Sequence, residues 1–143
     1  MWDPLNVRPG LSDILKSSMQ TLKHVVVVIY VDDDDVDPLF GIPSELEDIR
    51  TKNILETITI HIMLNTPDAN CRRGNDWDRL DEVLTTPGWL SLKQVSLIIE
   101  IDDSFEEDDE LHGALRSFQN IREKRFPRLS SCNPNLLNFS IRI

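Results

Sequence analysis

Two apolar runs in this chain end in carboxylates. Val28-Ile29-Tyr30-Val31 leads into Asp32-Asp33-Asp34-Asp35, and Leu97-Ile98-Ile99-Glu100-Ile101 leads into Asp102-Asp103. Carboxylates gathered at neighbouring strand ends can hold Mg²⁺, and an ion there screens a phosphate's charge from an attacking nucleophile. The competing reading is plainer: an Asp run after an apolar strand is a solubilising turn. Other reactive side chains are sparse. His24 and His112 have no partner in the sequence, and Ser130 and Ser131 beside Cys132 lack the base and orienting acid of a triad. The five glycines are scattered and form no phosphate-cradling loop. Cys71 and Cys132 sit in no C-x-x-C pair or His/Cys cluster, so neither zinc nor any other cofactor is implied, and such thiols suit a reducing compartment.

The elements that would position these residues recur. Leu-x-x-Φ-x-Φ-x-Φ, with Φ apolar, is met at Leu22, Val25, Val27, Ile29; at Leu55, Ile58, Ile60, Ile62; at Leu92, Val95, Leu97, Ile99; and at Leu136, Phe139, Ile141, Ile143. Alternation at period two is a strand signal, and its return at fixed phase is a repeat signal. The strands are expected at Val25–Val31, Thr57–Leu64, Val95–Ile101 and Phe139–Ile143. Helical spacing precedes each. Ser12 caps a helix over Asp13–Gln20. Ser44 and Glu47 have capping-box spacing for a helix running to about Lys52. Trp77, Leu80, Val83 and Leu84 share one helical face, closed by Pro87-Gly88. Leu111, Leu115, Phe118 and Ile121 line a helix over 111–125.

Residues 1–10 read as an irregular lead-in and 11–143 as a single α/β domain, with units near 11–37, 42–68, 77–109 and 110–143. Helix–strand alternation favours parallel strands joined by helical crossovers. A curved solenoid, with strands in sequential order and helices on one face, competes with a doubly wound sheet covered on both faces. If Ile58, Ile60, Ile62 and Leu64 face the helices, then Thr57, Thr59, His61 and Met63 face away, as do Gln94, Ser96, Ile98 and Glu100, and Asn138, Ser140 and Arg142. That second face is largely polar, which a doubly wound sheet would bury, so the solenoid is expected.

Strand Val25–Val31 is the exception, being apolar on both faces. As an edge it invites pairing. The cover is expected from the lead-in with Trp2 and Leu5, from a second copy of the chain, or from earlier repeats.

The bulk numbers narrow the partners. A net charge of −10 over 143 residues opposes nucleic-acid phosphates and anionic membrane surfaces and favours a basic protein partner. The start of the chain has no secretory pattern, and the run Val25–Val31 is far too short to span a bilayer. The expected setting is cytoplasmic or nuclear. The open sheet face is the expected binding surface, through Tyr30, His61, Met63, Ile98, Glu100 and Arg142. Its rows are expected to read Val28, His61, Ile98, Arg142 and then Tyr30, Met63, Glu100. Aromatic, Met and charged groups on a rigid sheet suit peptide recognition.

The repeats resemble leucine-rich repeats, and their wording resembles the C-terminal region of F-box-type proteins from mushroom-forming fungi. The carrying segments are Ser17–Val25, Asn53–Ile60, Asp76–Leu84, Trp89–Val95 and Phe126–Leu129, so the resemblance covers roughly residues 11–143. It implies a substrate-recognition array of a ubiquitin-ligase adaptor. The F-box itself is lacking: Ile42-Pro43-Ser44-Glu45-Leu46 resembles the opening of one, but the sequence turns into the strand Thr57–Leu64 where an F-box would continue as helices. Only the array's role carries over, and the doubly apolar first strand fits an array with earlier repeats upstream.

The acidic strand ends carry a second resemblance. Val28–Val36 is similar to the first motif of haloacid dehalogenase-type phosphatases, which would make Asp32 the nucleophile and Asp34 the acid/base, and Leu97–Asp103 is similar to their metal-binding motif, with Asp102 and Asp103 as ligands. The Gly and Thr that usually follow the first motif are replaced by a stretch containing Pro38, and no lysine is well placed. A receiver-type acidic pocket matches less, because the second strand ends in Asn65-Thr66-Pro67-Asp68. A protein-binding module is therefore expected ahead of the Mg²⁺-dependent phosphatase.

Overall fold

Period-two apolar residues on separate strands bury one common face only when the strands pair in phase. A computed structural model, which describes residues 18–33, 35–65, 71–101, 113, 115–116, 118–132 and 135–142, has this pairing. Its elements are β1 (His24–Val31), α1 (Ile42–Ile49), β2 (Thr57–Leu64), α2 (Asn75–Thr85), β3 (Gln94–Ile101), α3 (Ile121–Arg125), α4 (Pro127–Cys132) and β4 (Leu137–Arg142). The strands form one parallel sheet in the order β1-β2-β3-β4. The expected α/β class and sequential parallel order are thus present. The lead-in, residues 13–17 of the helix expected over Asp13–Gln20, Leu111 and Ile143 lie outside the described residues.

The core lies on one side of the sheet. Ile58, Ile60, Ile62 and Leu64 of β2 and Val95, Leu97, Ile99 and Ile101 of β3 pack in one cluster with Leu46 and Ile49 of α1, Trp77, Leu80 and Leu84 of α2, and Phe118, Phe126 and Leu129. Each buried aliphatic side chain contributes about 1.5–3 kcal/mol. At the sheet's margins Val25, Val27, Phe139 and Ile141 are only partly buried, because β1 and β4 are flanked on one side alone.

β2 has the expected bounds, but β1 and β3 begin one residue before the expected Val25 and Val95, and β4 begins two before Phe139. Pairing starts at a level the apolar pattern does not mark. The Lys23 carbonyl accepts from the Glu56 and Thr57 amides (2.7 and 3.1 Å), and the Glu56 carbonyl accepts from the Lys93 and Gln94 amides (2.8 and 3.2 Å).

The start of α1 differs from expectation. Its N-cap is Gly41, at φ 82°, with Pro43 in the first turn and no side-chain cap. Ser44 lies inside the helix, so the capping box with Glu47 does not open it. A left-handed residue favours glycine, and a first-turn proline sacrifices no intrahelical hydrogen bond. The Gly41 amide donates instead to Asp76 Oδ2 at 2.9 Å, from the next unit. At the other end Asn53 closes the turn: its Nδ2 donates to the Ile49 carbonyl (2.7 Å) and its Oδ1 accepts from the Leu55 amide (2.9 Å).

Asp37 ties the loop after β1 to α2. Its Oδ1 accepts from the Leu39 amide (3.0 Å) and from Trp77 Nε1 (2.9 Å), and its Oδ2 from the Gly74 amide (3.0 Å). After α2, Gly88 adopts φ 131°, and a Cβ there would stand 2.7 Å from the Arg50 guanidinium. The side chain of Arg50 donates to the Pro87 carbonyl, joining consecutive units.

The last unit departs most from the sequence reading. Gly113, Leu115, Arg116, Phe118 and Gln119 are helical and Asn120 is a turn that precedes α3, so the run expected over 111–125 is interrupted. The further helix α4 was not expected. Its amides at Arg128 and Leu129 donate to Asp81 of α2 (3.1 and 2.8 Å), which caps it from another unit. The buried Asp81 carboxylate also faces the positive end of the helix, a favourable place for an anion. Asp81→Ala orphans both amides and is expected to lower the unfolding free energy by about 1–3 kcal/mol in urea denaturation. A change near zero would mean that water replaces the carboxylate.

No helix among the described residues is long and apolar enough to cross a membrane.

Candidate functional site

Among the described residues no element covers the second face of the sheet, and its side chains form straight rows because the Cα partners are in step. One row is Val26, Thr59, Ser96, Asn138; the next is Val28, His61, Ile98, Ser140; the last is Tyr30, Met63, Glu100, Arg142. Five of the six expected site residues keep their row. Arg142 does not: it stands beside Glu100 instead of Ile98. Aligning the anchors Leu92 and Leu136 would pair Val95 with Phe139, but Val95 pairs with Leu137. β4 is thus offset by two residues. An even offset preserves which face a side chain occupies and changes only its row.

Polarity runs across the rows. Val26, Val28 and Tyr30 are 63, 43 and 62 % exposed and make an apolar column along β1. His61 is half-buried on β2, with Nε2 3.6 Å from Glu100 Oε2 on β3. That nitrogen is shielded from solvent and has no hydrogen-bond partner among the described residues. His24 does have a partner, Thr57, whose Oγ1 is 2.7 Å from its Nδ1. His112 lies outside the described residues.

At the N-terminal rim of the sheet, the residue after each of the first three anchor leucines alternates in charge. Glu56 accepts from Lys93 Nζ (2.8 Å), and Lys23 Nζ lies 3.9 Å from its other oxygen. Beside them is a shallow groove of about 440 Å³ lined by Ile54, Leu90, Ser91 and Leu92 with the three charged groups. The hydrogen bond and charge of Lys93 hold the Glu56 carboxyl below its ordinary value of 4.5, and those of Glu56 hold Lys93 above 10.5. The stabilisation from Glu56 is therefore present above pH 4.5 and lost as pH falls through its lowered value; that from Lys93 is present below pH 10.5 and lost as pH rises through its raised value. Both groups are on the surface, so the effect is small. In thermal melts, the deficit of Glu56→Gln against wild type is expected in the neutral range and should close as pH falls below 4.5. A deficit unchanged by acid would show that the ion pair contributes nothing.

The acidic strand ends are less organised. Asp32, Asp33 and Asp35 are exposed, and Asp33 Oδ1 accepts from the Asp35 amide at 2.9 Å in a local turn. Asp34, Asp102 and Asp103 lie outside the described residues. No group of three His, Cys, Asp or Glu among the described residues is placed to hold a metal ion. The ends of β1 and β3 are not neighbours: Leu64 stands between Val31 and Ile101, so the two strands are about 10 Å apart.

The chain matches no protein-family model, no curated protein and no solved structure.

Val26 extends the site beyond the residues singled out from the sequence, and Val28, expected in the row of His61, joins it as part of the same exposed column. The alternation of Val26 in phase with Thr59 was the available signal, masked by Val25 and Val27 on the other face.

Proposed function

We propose that this chain is a protein-interaction module that recognises its partner on the open face of the sheet, through Val26, Val28, Tyr30, His61, Met63, Ile98, Glu100 and Arg142. Following the resemblance to F-box-type proteins, the finer reading is the substrate-recognition part of a ubiquitin-ligase adaptor. The observation that carries the proposal is the exposed column Val26, Val28 and Tyr30. Parallel sheets are ordinarily covered on both faces, and a contiguous exposed apolar patch marks a binding surface.

Tyr30→Ala and His61→Ala are the test. Tyr30 is largely exposed, so its truncation should change stability by no more than about 0.5 kcal/mol, and that of half-buried His61 should cost about 1 kcal/mol. Photo-crosslinking from position 30 in cells should yield a discrete protein adduct that exposed Lys52, at the far end of α1, does not. Recovery of that protein should fall at least about tenfold with either Ala variant, as for a buried anchor. A large stability loss would place these side chains in the core, and recovery indifferent to both variants would move the interface elsewhere.

A further inference from the structure

The open face is electrostatically lopsided, and the imbalance sits where its apolar column ends. Val26, Val28 and Tyr30 point to one side of β1 over about 13 Å. Immediately beyond Tyr30 the chain enters the turn that carries Asp32, Asp33 and Asp35, all exposed. None of the ion pairs among the described residues uses any of these three carboxylates. The one arginine or lysine on the open face among the described residues is Arg142, at the opposite margin of the sheet, about 14 Å away across three strand spacings. At the other end of the column His24 Nδ1 lies 2.7 Å from Thr57 Oγ1, and the charges of the adjoining rim, Lys23, Glu56 and Lys93, are paired with one another.

From this we infer that the face takes a basic-apolar segment of a partner protein: bulky apolar side chains seated along Val26, Val28 and Tyr30 against Met63 and Ile98, followed by Lys or Arg at Asp32, Asp33 and Asp35. The inference rests on the open face being the binding surface and adds the partner's chemistry and direction. Apolar burial supplies affinity, and the unneutralised rim speeds encounter and rejects acidic partners. Charge also ranks the occupants. A second copy of this chain would bring the same acidic turn and another net charge of −10 against the first, a repulsion that a basic segment turns into attraction.

The test is a randomised peptide library displayed on phage and panned on the full chain. Enriched peptides are synthesised and titrated by fluorescence anisotropy against wild type, Tyr30→Ala and the triple variant Asp32→Asn/Asp33→Asn/Asp35→Asn. Asparagine can still accept the amide bond that Asp33 makes, so the turn survives while its charge goes. Enriched peptides are expected to join apolar residues to Lys or Arg. The triple variant should bind them at least about tenfold more weakly at low salt and lose most of the salt dependence, while Tyr30→Ala weakens them at every salt concentration. Peptides without basic residues that lose affinity with Tyr30→Ala but not with the triple variant would overturn the basic chemistry and leave the face as a binding surface. Peptides indifferent to Tyr30→Ala would overturn both. Failure to enrich any peptide overturns the inference, and dimerisation in sedimentation that Tyr30→Ala abolishes overturns it in favour of a second copy.

Discussion

Replacing Trp77 with Ala is expected to lower the unfolding free energy by about 3–5 kcal/mol. The side chain is fully buried. Its ring lies against Phe126, with centroids 6.3 Å apart, and its Nε1 donates to Asp37 Oδ1 at 2.9 Å. Truncation therefore opens a cavity between α2 and the segment leading to α4, and also removes one of the bonds by which Asp37 holds the loop after β1. A domain of this size is held by about 5–15 kcal/mol, so the variant should sit close to unfolding at room temperature. Urea denaturation followed by circular dichroism measures it. Trp77→Phe separates the two contributions: it keeps most of the volume, and its hydrogen-bond deficit should be about 1 kcal/mol. A loss below about 1 kcal/mol for Trp77→Ala would mean that the cluster around α2 is not cooperative with the sheet.

Leu55→Ala is expected to cost about 2–5 kcal/mol. Leu55 is 2 % exposed at the point where α1 hands over to β2. Its amide is held by Asn53, so the backbone cannot easily move to fill the space left behind. The repeat pattern alone treats all four anchor leucines alike, but burial does not. Leu22 and Leu92 are only partly buried, so Leu92→Ala should cost clearly less than Leu55→Ala in the same denaturation experiment. Equal losses would restore the equivalence of the units; a near-zero loss at Leu55 would undo the register of the second.

The difference between these anchors illustrates how far local pattern reaches. β2 has the residues expected of it because its evidence is local: β-branched residues at period two, bounded by polar turns. The helical face Trp77, Leu80, Val83, Leu84 is buried as expected for the same reason. The choice of open face was also legible, since Thr, Ser and Gln in phase along two strands leave only one side to bury. The start of α1 was not legible from Ser44 and Glu47, because the Gly41 amide finds its acceptor on Asp76, far along the chain. α4 is six residues long, too short for a periodic signal, and its cap comes from Asp81 in another helix.

The same division holds at the candidate site. Which residues share the open face follows from the parity of each strand, a property written in the chain itself. Which of them become neighbours follows from strand register, which depends on how separate units dock. β1, β2 and β3 dock with their anchor leucines aligned, whereas β4 docks two residues out of that alignment, and this puts Arg142 beside Glu100. The acidic turn after Tyr30 is plain in the sequence; that β2 separates it from the end of β3 follows from strand order. Alternation, charge and helical faces are short-range properties, and the chain determines them alone. Caps, buried carboxylates and rows across the sheet join residues tens of positions apart, so they exist only once packing has chosen among the ways those local elements can meet.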